Sequence, residues 1–317
     1  GFVSVSDPRS HGMWRGYRQA LALLPIENVV HGGTPHGISP SASVRRAVVD
    51  MVKWRQGSLV VRDGDGPILG TITERDVVER VELVAGAMQT TRVDQIMTPR
   101  SELASCSTDS ALGECVRKMQ PGFRQLPIVA GERVLSIISI RDIAQHMATA
   151  LSKAPMHDPP TVERLMVARG APGYIELKAE ASLAEAVIVL REAKTGSALV
   201  AGICGATFGV VTERDYITKA AVYDEDDPHT LPVAQVLTMC KPVASDGRIA
   251  DCLSVMAAGS HRHLPVVGLE RGVVEGQIAM RDILGFYLDF ESASTPRPLG
   301  EDTEDFYELF DDDEREE

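Results

Sequence analysis

The sequence predicts an α/β fold made of four copies of one small unit, arranged as two double modules with pseudo-two-fold symmetry. Three observations carry this. First, Gly70-Thr-Ile-Thr73-Glu-Arg-Asp76 returns as Gly209-Val-Val-Thr212-Glu-Arg-Asp215, 139 residues later. Second, other landmarks recur at nearly the same interval. Gly57-Ser-Leu-Val matches Gly196-Ser-Ala-Leu-Val, Val93-Asp-Gln-Ile-Met-Thr matches Val233-Ala-Gln-Val-Leu-Thr, and Gln125-Leu-Pro127 matches His263-Leu-Pro265. Third, each copy is itself double: Asp142, in Ser139-Ile-Arg-Asp142, follows Asp76 by 66 residues, and Asp282, in Ala279-Met-Arg-Asp282, follows Asp215 by 67. Repeats of about 60–70 residues bury too little surface alone and are expected to pair.

Each unit reads as helix, strand, turn, strand, helix. Val44, Ala47, Val48 and Met51 follow Ser43 at helical spacing. Leu112, Cys115, Val116 and Met119 do the same after Ser110, and Cys252 and Met256 repeat the Cys-to-Met interval. Each set makes one apolar helix face. A short β-branched run follows, such as Leu59-Val60-Val61, then a glycine-bearing turn and a second strand ending in Thr-x-x-Asp.

The expected organisation has five parts. Residues 1–27 form an extension with a helix around Trp14–Leu24 that stops at Pro25. The first module covers 28–150, as units of about 28–90 and 91–150. A connection covers 151–172, broken by Asp158-Pro159-Pro160 and Ala171-Pro172-Gly173. The second module covers 173–290, as units of about 173–230 and 231–290. Residues 291–317 form an acidic tail.

Composition excludes several functions. The chain has 317 residues with 32 basic against 45 acidic side chains, a net charge of −13. That balance argues against sequence-independent nucleic-acid binding and against attraction to an anionic membrane. Twelve acids and two bases in 291–317 account for −10 of it. Within this tail Phe306, Tyr307, Leu309 and Phe310 sit among acids, which marks a docking segment for a protein partner or a basic face of the body. Five cysteines without a CxxC pair suit a reducing intracellular compartment, with no disulfide framework or structural zinc. Cys115 and Cys252 fall at equivalent helix-face positions and read as core. No apolar run reaches the 18 or so residues that span a bilayer. The chain starts at Gly1, as a processed terminus or a cloning remnant would, and Arg9, Arg15 and Arg18 near it are mildly like a transit-peptide flank.

Thr73 and Asp76 close a strand and open a helix. One reading is a capping box, with Thr73 as N-cap and Asp76 reaching back to a free amide. The other places a ligand there. A helix N-terminus offers amides to a phosphate, the hydroxyl can donate to it, and the carboxylate can accept from both ribose hydroxyls. Thr73/Asp76 and Thr212/Asp215 match fully. Ser139/Asp142 keeps hydroxyl and acid, with Ser136 at the motif glycine. In the fourth unit Ala279 replaces the hydroxyl beside Asp282, which makes that site the altered or empty one. Arg124, His261 and Arg262 are the candidate phosphate-contacting bases, against solvated turn residues as the alternative. Arg75, Arg141, Arg214 and Arg281 each precede a motif Asp, and surface pairing with neighbouring acids is their expected role. His261 and His263 lack further ligands at metal spacing. No nucleophile elbow, P-loop or HExxH pattern occurs, so a non-catalytic protein is expected.

Over roughly residues 28–290 the repeat resembles the CBS domain, which occurs in pairs as Bateman modules. The resemblance rests on hydrophobic-Gly-x-[IV]-[TS]-x-x-Asp, on [HR]-x-Leu-Pro-Val-Val and on Val93-Asp-Gln-Ile-Met-Thr-Pro99. The first two units resemble plant mitochondrial CBS-pair proteins, and the four-unit layout resembles the gamma subunit of AMP-activated protein kinase. The resemblance implies an adenine-nucleotide ligand in clefts between paired units: AMP, ADP or ATP, with S-adenosylmethionine or NADH as further members. With it, the cap and ligand readings hold together. It implies a non-catalytic regulatory subunit, packed as a disc or through a second chain as a homodimer. The alternative is an accessory structural subunit of a larger complex with partly degenerate sites. A mitochondrial matrix location is preferred to the cytosol.

Overall fold

The computed structural model describes residues 22–26, 29, 36–119, 123–131, 133–152, 159–168, 174–201, 208–220, 230–259, 261–268 and 273–288. Its strands form four small sheets, one per unit. The first holds β1 (Gly37–Ile38), β2 (Ser58–Arg62), β3 (Ile68–Thr73) and β4 (Thr98–Pro99), and the second β5 (Cys106–Ser107), β6 (Gln125–Ala130) and β7 (Arg133–Ser139). The third holds β8 (Glu176–Lys178), β9 (Ser197–Ala201), β10 (Phe208–Thr212) and β11 (Thr238–Cys240), and the fourth β12 (Val243–Ala244), β13 (His263–Val267) and β14 (Val274–Ala279). In every sheet a two- or three-residue leading strand lies parallel to the next, which then turns back as an antiparallel hairpin. The hairpin registers are equivalent: Ser58 faces Thr73, Gln125 faces Ser139, Ser197 faces Thr212 and His263 faces Ala279.

The helices follow their sequence signals. Val44–Trp54 starts at Ser43, whose hydroxyl accepts from the Arg46 amide at 3.2 Å, and it buries Val44, Ala47, Val48 and Met51. Leu183–Glu192 starts on a Ser182/Glu185 capping box. β4 and β11 open the stretches expected as the second and fourth units, yet they pair with the sheets of the first and third. The expected connection contains the helix Val162–Ala168, with Val162 and Leu165 fully buried. The expected helix at Trp14–Leu24 lies almost wholly outside the described residues, as do the connection's other breakers and the tail.

The cores join units across modules. One apolar cluster unites the first unit (Val44, Met51, Ile72, Val77) with the third (Leu183, Val187, Val211, Tyr216). The other unites the second (Leu112, Met119, Ile138, Ile143) with the fourth (Leu253, Met256, Ile278, Phe286). Arg191 of the third unit closes the end of the first unit's helix Glu74–Arg80, donating to the Val78 and Val81 carbonyls at 2.5 and 2.6 Å. Within a module the two sheets instead face one another across a polar cleft. Cys106, Cys115, Cys240 and Cys252 are all buried, and Cys106 and Cys115 bring their sulfurs to 2.9 Å. Burial pushes the Cys252 thiol up to about 12, which suits packing rather than reactivity. No helix among the described residues is long and apolar enough to cross a membrane.

Candidate nucleotide-binding clefts

Each Thr-x-x-Asp pair is built as a cap. Thr73 Oγ1 accepts from the Asp76 amide at 3.2 Å, and Asp76 Oδ2 accepts from the Thr73 amide and hydroxyl at 2.8 and 2.6 Å. Thr212 and Asp215 repeat the arrangement at 3.2, 2.9 and 2.6 Å. Ser139 and Asp142 do so at 3.3, 2.8 and 2.8 Å. In the fourth unit the Ala279 amide alone reaches Asp282 Oδ2, at 2.9 Å.

The second carboxylate oxygen separates the four. Asp76 Oδ1 accepts from the Thr98 hydroxyl at 3.0 Å and lies 3.3 Å from Arg80. Asp215 Oδ1 accepts from the Thr238 hydroxyl at 2.6 Å and from Lys219 at 2.8 Å. Both threonines come from the extra strands β4 and β11, and both aspartates are almost fully buried. Burial raises the Asp76 pKa above the usual carboxylate value against these hydrogen bonds. Among the described residues the second sheet has no such strand. The hydrogen bonds that reach Asp142 all fall on Oδ2, and its side chain is half-buried. The pairs that match the motif best are thus the most fully committed to the protein itself.

Gly70 explains the motif glycine. A Cβ there would run into the Thr98 carbonyl and sit 3.2 Å from the Pro99 Cα, so β4 can pair only because that side chain is absent. Gly70→Ala is expected to lose about 1–3 kcal/mol in urea denaturation, the usual cost of overpacking. A change within 0.5 kcal/mol would contradict the close approach.

A cavity of about 990 Å³ opens between the first and second units. Thr73, Asp76, Ser139 and Asp142 line it, with Arg124 and Arg262. Ten basic side chains face it against four acidic ones, in a chain whose net charge is −13. A smaller cavity of about 230 Å³ between the third and fourth units is lined by Thr212, Asp215, Arg124, His261 and Arg262. Asp282 lines neither cavity. Sequence reasoning therefore located nine of its ten candidate residues in or beside the two clefts.

The basic residues are placed differently from expectation. Arg75 reaches across the module boundary to Glu213 at 3.1 Å, beside a longer local contact to Glu79 at 3.6 Å. Arg214 lies 3.4 Å from Glu74. Arg262 also pairs with Glu74, at 3.2 Å, and Arg124 pairs with Glu213. Arg75 and Arg214 thus do not simply pair with neighbouring acids on the surface, and Arg124 and Arg262 are not solvated turn residues. Sequence reasoning missed Glu74 and Glu213, although Thr73-Glu74 and Thr212-Glu213 stand at equivalent motif positions.

A four-unit assembly of hairpins and helices, with hydroxyl–acid caps at the clefts, defines a class of paired-repeat proteins. The chain matches the CBS domain over residues 34–83, 93–149 and 237–289, and it belongs to the CBS-domain family. The third unit falls outside these matches but shares the sheet and the cap. A relative in Thermofilum pendens, an uncharacterised 33.4 kDa protein in a ribosomal RNA operon, is 27% identical over 58% of this chain. The match spans 61% of that protein's length. The mitochondrial CBS domain-containing protein CBSX3 of Arabidopsis thaliana is 26% identical over 32% of this chain and 52% of its own length. Among solved structures, a Methanocaldococcus jannaschii protein described as a candidate archaeal homologue of γ-AMPK shares the fold. Its TM-score is 0.69 at 16% identity, covering 83% of this chain and all of that one.

Proposed function

We propose that the chain is a non-catalytic regulatory protein that binds an adenine nucleotide in the cleft between its first and second units. The observation that carries this reading is the Ser139/Asp142 pair beside a large, cation-rich cavity. The hydrogen bonds within the chain occupy one Asp142 oxygen, so the other is available to ribose hydroxyls, while surrounding guanidinium groups suit phosphate. Membership of the CBS-domain family supports the adenosine moiety. Ligand would shift the relative angle of the paired units, and a partner that discriminates the two states would read it. The mitochondrial CBS-domain relative supports the same compartment here.

The saturated Asp76 and Asp215 favour a second reading, an accessory structural subunit with degenerate first and third sites. A thermal-shift panel of AMP, ADP, ATP, S-adenosylmethionine and NADH separates the two. A ligand at 100 times its Kd adds about 2.7 kcal/mol, or several degrees. The shift is expected in the wild type, lost in Asp142→Ala, and kept in Asp282→Ala. No shift with any ligand, on protein free of co-purified nucleotide, would leave the scaffold reading.

A further inference from the structure

At the centre of the molecule the four units are of two kinds. Gly57, Arg124, Gly196 and Arg262 are equivalent. Their carbonyls accept from the amides of Glu74, Ile140, Glu213 and Met280 at 3.0, 2.9, 3.3 and 2.8 Å. Odd units combine glycine with glutamate, and even units combine arginine with an apolar residue. The two patterns interlock. A Cβ on Gly57 would lie 3.3 Å from the Glu74 carboxylate and 3.4 Å from Arg262, and a Cβ on Gly196 would strike the Arg124 guanidinium. Each glutamate is buried, at 3% and 2% exposure, and each meets two arginines from other units. Three of those arginines, Arg124, Arg214 and Arg262, line both cavities.

We propose that Glu74 and Glu213 are resident anions that hold the shared arginines in the absence of ligand, so that phosphates must win Arg124, Arg214 and Arg262 from them and the two cavities compete. This rests on the nucleotide reading above for the larger cavity, extends it to a second phosphate-bearing ligand in the smaller one, and adds specificity and regulation. A carboxylate between guanidinium groups makes the charge-assisted contacts a phosphate would make, with less charge and fewer acceptor oxygens. The larger cavity keeps a surplus of basic groups after both glutamates are counted, so a polyphosphate gains more than a monophosphate. Adenosine needs none of these arginines. Phosphate-bearing ligands in the two cavities therefore oppose one another, and the opposition is reciprocal.

The test is calorimetric titration of the full chain with ATP and with adenosine, on wild type, Glu74→Gln and Glu213→Gln. Each variant is expected to bind ATP about tenfold more tightly, with adenosine within about twofold of wild type. Folded variants that bind ATP no more tightly overturn the inference. Removing a buried carboxylate can prevent folding, which thermal denaturation detects, and the wild type then decides. There, ATP is expected to titrate in two phases at least about tenfold apart, and adenosine without that separation. ATP sites that fill independently, or a single ATP site, overturn the competition while leaving the nucleotide reading intact. A chain that binds neither ligand overturns both.

Discussion

Replacing Glu213 with alanine is expected to cost about 3–5 kcal/mol, because it leaves Arg124 and Arg75 facing each other in the interior without a counter-charge. The two arginine side chains keep 23% and 20% of their exposure, so the lower end of that range is expected. Charge crowding is already visible in the intact protein. Burial, helped by Arg262 and Arg75 against the pull of Glu213, pushes the Arg124 guanidinium down to about 10. Burial alone would raise the Glu213 pKa, but Arg124 and Arg75 outweigh it and hold the carboxyl below its ordinary value of 4.5. The unfolded chain therefore takes up this proton at a higher pH than the folded one. Stability from this group is fully present above the ordinary glutamate range and is lost as pH falls through it toward the depressed value. Urea denaturation of wild type and Glu213→Ala at neutral pH and across the acid range checks both statements. The gap between the two proteins should narrow on acidification, and a gap that widens would contradict the paired, ionised Glu213.

The second large effect concerns the halves of the chain. A fragment of residues 22–152 holds the first two units but only one wall of each apolar core. Alone, it would expose Val44, Met51, Leu112 and Met119 to water, each worth about 1.5–3 kcal/mol of burial. It is expected to be a dimer rather than a stable monomer. The charge pattern permits this, because Glu74 of one copy can meet Arg75 and Arg124 of another as Glu213 meets them here. Light scattering should give twice the fragment mass, and the denaturation midpoint should rise with concentration. A monomer that unfolds cooperatively and independently of concentration would contradict the shared cores.

The repeat, the helix faces and the caps were legible in the sequence because each is local. Ser43 before Val44-x-x-Ala47-Val48-x-x-Met51 specifies a capped amphipathic helix without reference to anything distant. The leading strands were missed for the opposite reason: Gly37–Ile38 and Cys106–Ser107 are too short to show a period. Which helix faces meet was equally hidden, since Met51 and Met119 are apolar in the same way and say nothing about their partners. The functional ranking of the four caps also depended on a distant element. Asp76 matches the motif better than Asp142 does, yet Thr98, 22 residues on, takes its second oxygen. The central ion pairs had a readable signal, since Gly57/Glu74 and Arg124/Ile140 alternate through the repeat and a charge in one unit answers a space in another.

That alternation has a consequence for how the molecule chooses its own second half. Both halves carry the same ordered pair, a glycine–glutamate unit followed by an arginine–apolar unit, so the charges alone do not tell a half from its copy. The covalent tether supplies the preference. It holds the correct halves together at an effective concentration on the order of millimolar, far above that of any second chain in dilute solution. Fidelity of assembly thus rests on chain connectivity together with contacts that one half alone supplies, such as Arg191 on the Val78 and Val81 carbonyls. Once the chain is cut between its halves, they are expected to exchange partners as the protein is diluted and reconcentrated.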